Sequence, residues 1–446
     1  LSKFLILTAL LFLAIIELYL ILKLFGFNAE KKFSLIYLTY SIINLLIFFI
    51  ILFLFLNKRL SNFLLIYYLS IIFITLYIFE VFSAYRLNPI LVNSFLNQYN
   101  YDIRRARDVA QDFNKKNQNK KHIEHFRIIH AVEKNDLKLM PIGSISNINS
   151  VTSNEYGEWF IVKTDRYGFN NKDAQWDKKN SYVFLGDSFV EGCCVPNNYN
   201  FVNKLNLDYS SILNLGVSGS GPLFYLATIK EYIPKINPKK IYWVHYAGND
   251  YTDLQKRKDI KILSKYYKDK NFNQNLIEKQ NEIDNLYRSF YKTNIAIVEP
   301  SSKKLKSKKE IILRSFTLYF TRHLILKKYK YDKQKSTNIN VNNETFKIYE
   351  IILNEAKRFC EEYNIELNFI YLPHVNQIKK DINKPYLEAI LKRNKIKYYD
   401  LSLDYKKSKD IYKLYSFGKN EKRGHLSKIG HDLTYRIIKK IINEQK

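Results

Sequence analysis

Apolar and polar positions divide the chain at about residue 87. Before it come three almost unbroken apolar runs, 4–25, 33–56 and 63–83, separated by short polar stretches that carry Lys31, Lys32, Lys58 and Arg59. Each run approaches or exceeds the ~20 residues with which a helix crosses a bilayer, so the pattern predicts a transmembrane region over 1–86. The first run is too long for a signal-peptide core and has no A-x-A cleavage site, which predicts that it is retained. Glu17 interrupts it; a carboxylate at that depth is costly and is expected to face a neighbouring helix or carry a proton. Lys3 and the basic loops favour a cytoplasmic N-terminus, which after three spans puts the remainder outside.

Beyond residue 87 polar and charged positions mix with apolar ones. Residues 87–178 read as a helical, irregular connector. From 179 to 446 short apolar runs alternate with amphipathic stretches. The predicted strands are 181–186, 211–215, 240–246, 366–372 and 396–400. Predicted helices cover 199–207, 222–234, 346–363, 384–394 and 427–443, with Pro222 in the first turn of its helix. The strand runs are apolar at nearly every position, as in strands covered on both faces. Such alternation predicts an α/β domain, a parallel sheet between two helical layers, with its site at the carboxyl ends of the strands. Residues 251–345 interrupt the alternation. Within them 303–331 is a basic amphipathic stretch, predicted to pack on its own domain, lie on anionic lipid or cover the site.

Charge changes this picture little. The chain has 446 residues and a formal net charge of +29, from 71 Lys+Arg against 42 Asp+Glu. The lysines spread over most of the soluble region, and no zinc-finger, RRM or KH pattern accompanies them, so nucleic acid is not an expected partner. The three cysteines form no disulfide framework; Cys193 and Cys194 are adjacent, which strains a mutual bridge. His122, His125 and His130 fall in one short stretch with no carboxylate partner on their face, a weak pattern for a metal.

Three predicted strands end in unusual residues: Gly186-Asp187-Ser188, the run Asn214 to Pro222 (NLGVSGSGP), and Gly248-Asn249-Asp250. A fourth block, RGHLSKIGH, lies at 423–431 before the last helix. A serine in a tight strand-to-helix turn projects its hydroxyl above the sheet. Acyl transfer then needs a base, for which His425 is the candidate, and donors for the developing oxyanion. The N–H groups of Ser188 and Gly219 and the amide of Asn249 are the candidate donors. The glycine-rich run is G-x-x-G-x-G, the reverse of the dinucleotide fingerprint, and no Walker lysine follows, which argues against a nucleotide cradle.

The four blocks together resemble the SGNH (GDSL-type) hydrolase superfamily, over about 181–443 with the middle insertion unmatched. The resemblance assigns Ser188 as nucleophile, His425 as base, and Ser188, Gly219 and Asn249 as the oxyanion hole. Asp187 and Asp250 are expected to be structural, accepting loop N–H groups. It implies a three-layer α/β/α (SGNH/flavodoxin-like) fold and ester hydrolysis or acyl transfer, without metal or organic cofactor. An anchored arrangement is also similar to bacterial enzymes that add or remove acyl groups, acetyl among them, on cell-surface glycans. Substrate, bilayer and membrane partner proteins are the partners this implies, with an inner-membrane location and an extracytoplasmic catalytic domain.

One feature departs from the pattern. The family's histidine block carries an aspartate two or three residues before the histidine, where this chain has Arg423 and Lys422. Glu421 is the candidate acid; a backbone carbonyl or an unassisted Ser–His dyad are the alternatives. An inactive component that binds glycan or assembles a membrane complex, and a lipid-directed esterase using 303–331, are the rival functions. His431 is a second candidate base but falls inside the last helix. DRYGFNN (165–171) is expected to form a turn at Gly168 or an edge of the cleft.

Overall fold

The computed structural model describes residues 2–25, 31–56, 62–87, 102, 104, 106–116, 121–125, 138–294, 315, 318–322, 341–378, 380–416 and 424–445. Two compact units divide the chain: Leu1–Asn88 with Ile311–Lys328, and Pro89–Glu310 with Tyr329–Lys446.

The first unit contains helices α1 (Ser2–Phe25), α2 (Lys31–Leu56) and α3 (Asn62–Leu87). Among the described residues, α3 holds one stretch long and apolar enough to cross a membrane, Ile66–Ser83. Shorter apolar stretches lie in α1 (Ile6–Leu18) and α2 (Asn44–Phe53). Ile6, Leu10 and Ile51 make a small buried cluster, while Leu11, Phe12, Phe49, Phe53, Phe73 and Ile74 are more than half exposed. Glu17 is buried and faces α2, where its carboxylate accepts hydrogen bonds from Ser41 Oγ and, at 2.9 Å, from Asn44 Nδ2. Glu80 is fully buried and accepts the backbone N–H groups of Phe320 (2.8 Å) and Thr321 (2.7 Å). Of the basic stretch 303–331, only 315 and 318–322 are described; the remainder, and with it the expected amphipathic face, lies outside the described residues.

The second unit begins with α4 (Ala106–Lys116) and a small sheet of β1 (His122–Glu124), β2 (Asn149–Val151) and β3 (Ile161–Lys163), so the expected connector is partly strand. β1 and β2 run parallel; β2 and β3 are antiparallel and form a hairpin. The main sheet contains β4 (Tyr182–Leu185), β5 (Ile212–Asn214), β6 (Lys240–Tyr246), β7 (Glu366–Leu372) and β8 (Lys397–Asp400), in the order β5-β4-β6-β7-β8. Every pairing in it is parallel, as strands joined by crossover helices require.

Alternation along each strand explains why the strand runs are apolar throughout. Val183, Leu185, Ile241, Trp243, Phe369 and Tyr371 point into one core, with α7 (Pro222–Ile236) and α11 (Asn343–Glu362). Phe184, Tyr242, Val244, Ile370 and Leu372 point into the other, with α6 (Phe201–Tyr209) and α14 (Lys428–Glu444); α12 (Lys384–Arg393) and α13 (Ser402–Lys406) precede α14 in the chain. Two covered faces leave no polar alternation to see. The region that interrupts the sequence pattern after β6 supplies α8 (Asp250–Arg257), α9 (Lys261–Lys268) and α10 (Gln280–Asn294). Part of it packs on the same core: Leu263, Tyr266, Ile283 and Tyr287 are buried there.

Candidate active site

β4 stops at Gly186 because the chain turns at once into a helix of one turn, α5 (Ser188–Glu191). Space is the reason for glycine. A Cβ at Gly186 would lie 2.2 Å from Val190 Cγ2 and 2.9 Å from Val190 Cβ, and valine is held stiffly at χ1. Asp187 caps the short helix: its Oδ1 accepts Phe189 N at 2.9 Å, and its Oδ2 accepts Asn249 Nδ2 at 3.0 Å. Ser188 is therefore the first residue of a helix, where N–H groups have no intrahelical acceptor. Among the described residues none accepts the N–H of Ser188 or of Gly219.

The glycine-rich loop after β5 is fastened on both sides of Gly219. Val217 N and Ser220 Oγ donate to Gly186 O at 2.9 and 3.2 Å, and Ser218 N donates to Glu191 Oε2 at 2.5 Å. Gly219 has φ of +73°, a region that side-chain-bearing residues seldom adopt. Asn214, which opens this block, donates from Nδ2 to Val190 O and accepts Gly216 N, tying the loop to α5. Asn249 is held by Asp187 through one amide hydrogen; a carboxamide has a second.

His425 brings its Nε2 to 2.8 Å from Ser188 Oγ. Its own backbone is pinned by an antiparallel bridge between Tyr415 and Leu426 and by Ser416 N donating to His425 O at 2.9 Å. On the far side of the ring, Nδ1 lies 2.7 Å from Glu155 Oε1, and the backbone N of His425 donates to Glu155 Oε2 at 3.1 Å. Ser416 Oγ donates to the same Oε2. Glu155 sits at the tip of the β2–β3 hairpin, whose loop is closed by Gly157 N to Asn154 O and Phe160 N to Ser153 O. Phe189 packs beside the imidazole, with ring centroids 5.0 Å apart.

This carboxylate is what reading along the histidine block missed. Arg423, Lys422 and the candidate acid Glu421 lie outside the described residues, and the group that faces Nδ1 comes from upstream of the nucleophile. The local signal in the sequence is only a turn, Asn154-Glu155-Tyr156-Gly157, in a segment that reads as a connector. DRYGFNN forms a second bracket. Asp165 accepts Tyr167 N, Phe169 N, Asn171 Nδ2 and Trp176 Nε1. From that turn Asn170 reaches Glu191 O and Asn171 reaches Asn214 O.

The remaining candidates have other places. Asp250 is fully buried below the sheet edge, accepting Tyr246 N at 3.1 Å and Tyr225 OH at 2.9 Å, with His245 Nδ1 3.0 Å away. His431 is buried in α14, where its Nδ1 accepts Phe201 N at 3.4 Å and its ring stacks on Phe201. Burial, with His425 and Lys204 nearby, lowers its pKa to about 3, so it is neutral and far from base duty. His122 stacks on Phe113, and His125 Nε2 is 3.6 Å from Glu191 Oε1. His130 lies outside the described residues. The cysteines are unbridged.

Electrostatics couple the three central groups. Burial lowers the proton affinity of His425, but the Cys193 sulfur, the hydrogen bond and charge of Glu155 and the charge of Asp187 outweigh it and push the pKa up to about 10. For Glu155 burial pulls upward, and its interactions with His425 and Ser416 hold it below the usual carboxylate range. Asp187 is pushed up to about 7, by burial first and then by Asp250. The result is a hydroxyl, an imidazole and a carboxylate in line, with N–H donors beside the hydroxyl.

No family model matches the chain, and no curated protein does. Among solved structures, one from Bacteroides fragilis described as an acylhydrolase is similar at 13% identity, covering 60% of this chain and 88% of that one, with a TM-score of 0.27. A GDSL-like lipase from Bacteroides thetaiotaomicron is similar at 11% identity, over 60% of this chain and 91% of that one, with a TM-score of 0.29.

Proposed function

We propose that this chain is a serine ester hydrolase or O-acyltransferase of the SGNH type, anchored in a membrane and acting on O-acyl esters of an exported or cell-envelope glycan. The observation that carries the reading is the line Ser188 Oγ–His425 Nε2 at 2.8 Å and His425 Nδ1–Glu155 Oε1 at 2.7 Å. As the hydroxyl attacks an ester carbonyl, Nε2 takes its proton and Glu155 stabilises the imidazolium. The tetrahedral oxyanion is met by the N–H of Ser188, the N–H of Gly219 and the second amide hydrogen of Asn249. Collapse of the intermediate expels the alcohol, protonated by Nε2–H, and leaves an acyl group on Ser188. Water or an acceptor hydroxyl, deprotonated by the same nitrogen, then removes it.

The missing aspartate favours the rival reading of a non-catalytic component. Glu155 supplies the carboxylate by another route, which favours catalysis. Membrane anchoring is supported by Ile66–Ser83 and by the exposed apolar faces of α1, α2 and α3. The extracytoplasmic orientation rests on the basic loops between the apolar runs, the glycan substrate and the acetyl preference on the similarity of the anchored arrangement to glycan-modifying enzymes, and all three belong to the proposal.

The test is fluorophosphonate labelling of the detergent-purified chain, with the adduct located by mass spectrometry. Labelling at Ser188 that disappears in Ser188→Ala and His425→Ala supports the reading. A folded sample that stays unlabelled beside an active serine esterase that labels overturns it. Competition between water and added sugar for the acyl group then separates hydrolase from transferase.

A further inference from the structure

The mechanism uses neither thiol that adjoins it. Cys193 and Cys194 lie just beyond α5, and both are buried, at 7% and 3% exposure. Cys194 Sγ lies 2.7 Å from Cys193 Sγ and 3.1 Å from His425 Nδ1. The two sulfurs and a ring nitrogen of His425 all fall within 4.8 Å of one another. Two thiols and an imidazole are the donors that soft divalent cations prefer. His425 is part exposed, with 28% of its side chain open.

We propose that Cys193, Cys194 and His425 form a binding site for a thiophilic divalent cation, Zn2+ or Cd2+, whose occupation disables the catalytic histidine. The inhibitory part rests on the reading of Ser188 and His425 as a catalytic pair. On binding, each thiol loses its proton to solvent, two metal–sulfur bonds and one metal–nitrogen bond form, and no electrons are exchanged. The metal takes the lone pair of Nδ1, whose proton is lost to solvent, and the remaining ring proton sits on Nε2. Nε2–H then donates to Ser188 Oγ and cannot accept its proton, while Glu155 loses the N–H it orients. Zinc–sulfur bonds of about 2.3 Å in a tetrahedral site hold sulfurs roughly 3.8 Å apart, so the pair opens by about 1 Å on binding, and somewhat more for the larger Cd2+. A disulfide is the poorer use of these thiols. Adjacent Cα atoms are about 3.8 Å apart, short of the roughly 4.4–6.8 Å that disulfides span.

Cd2+ titration of the full-length, reduced, detergent-purified protein tests this, read by the ultraviolet cadmium–thiolate charge-transfer band and by hydrolysis of a chromogenic ester. The expected result is a band saturating at one Cd2+ per chain, with parallel loss of activity that a chelator restores. Cys193→Ser/Cys194→Ser, its inhibition read against its own metal-free rate, loses both band and inhibition. His425→Ala keeps the band with affinity weakened about tenfold or more. The band needs no turnover, so it appears even in a chain that hydrolyses no ester, and failure of the esterase reading is seen separately. Absence of the band from the reduced protein overturns the site, as does inhibition that persists in the double variant. A two-hydrogen mass loss that blocks Cd2+ uptake under reducing conditions overturns it in favour of a redox pair.

Discussion

Glu155 Oε1 meets His425 Nδ1 at 2.7 Å although 270 residues separate the two in the chain. The hairpin of the small sheet thus supplies to the main domain the carboxylate that faces the imidazole, which the proposed mechanism uses to orient its base. Because Glu155 acts through His425, its removal is expected to lower kcat/KM by roughly a thousand- to ten-thousand-fold in Glu155→Ala or Glu155→Gln. Glu155→Asp retains part of the rate. Steady-state kinetics with a chromogenic ester check this, and a loss under about tenfold in Glu155→Gln would mean that another group orients the ring.

The pH dependence has its origin in the same contact. His425 must be neutral to act as base, and its pKa is pushed up to about 10. Hydrolysis is therefore expected to rise with pH through the neutral range and level off only near that value. In Glu155→Gln the rise shifts down toward the ordinary imidazole value of about 6.5, because a raising influence is gone. Stability runs the opposite way. A base whose folded pKa is raised stabilises the fold fully below its unfolded pKa, and that contribution is lost as pH climbs through the folded one. The difference in melting temperature between wild type and Glu155→Gln should be largest at mildly acid pH and shrink toward pH 10.

Asn249 tests the oxyanion hole. Its amide is held by Asp187 Oδ2 at 3.0 Å, and the proposed mechanism gives its second hydrogen to the oxyanion. Asn249→Ala is expected to lower kcat by roughly a hundred- to a thousand-fold with little change in KM, as for a donor that matters in the transition state. A comparable rise in KM with kcat intact would move Asn249 to ground-state binding.

Gly186 tests the turn. A methyl group there meets Val190 Cγ2 at 2.2 Å and Val190 Cβ at 2.9 Å, so Gly186→Ala is expected to cost about 1–3 kcal/mol as overpacking does. Val190→Ala in the same chain should recover part of that loss. Denaturant midpoints of the single and double variants measure both, and the recovery is the diagnostic part, since a purely conformational cost would remain.

Much of this molecule is legible along the chain because its causes are local. The strand runs 240–246 and 366–372 are found at those bounds, since a strand covered on both faces needs apolar residues at every position. The helix beginning at Pro222 starts there because proline suits a first turn. Gly186-Asp187-Ser188 announces a serine at a strand end for an equally local reason: the turn has no room for a Cβ, and Asp187 caps the one-turn helix that Ser188 opens.

Only the tertiary structure decided who faces whom. Nothing in the spacing of Glu155, Ser188 and His425 says that a hairpin tip from a small separate sheet stands behind the imidazole, or that Cys194 stands beside it. Periodicity reports which face of an element is buried, and turn residues report where the chain reverses. Neither carries the distance between loops brought together by the packing of other elements. The family resemblance keeps an acid close to the histidine in sequence, which makes Glu421 the candidate there. The carboxylate that faces the imidazole, Glu155, is next to it only in space, because hydrogen-bonding partners are chosen by the folded geometry.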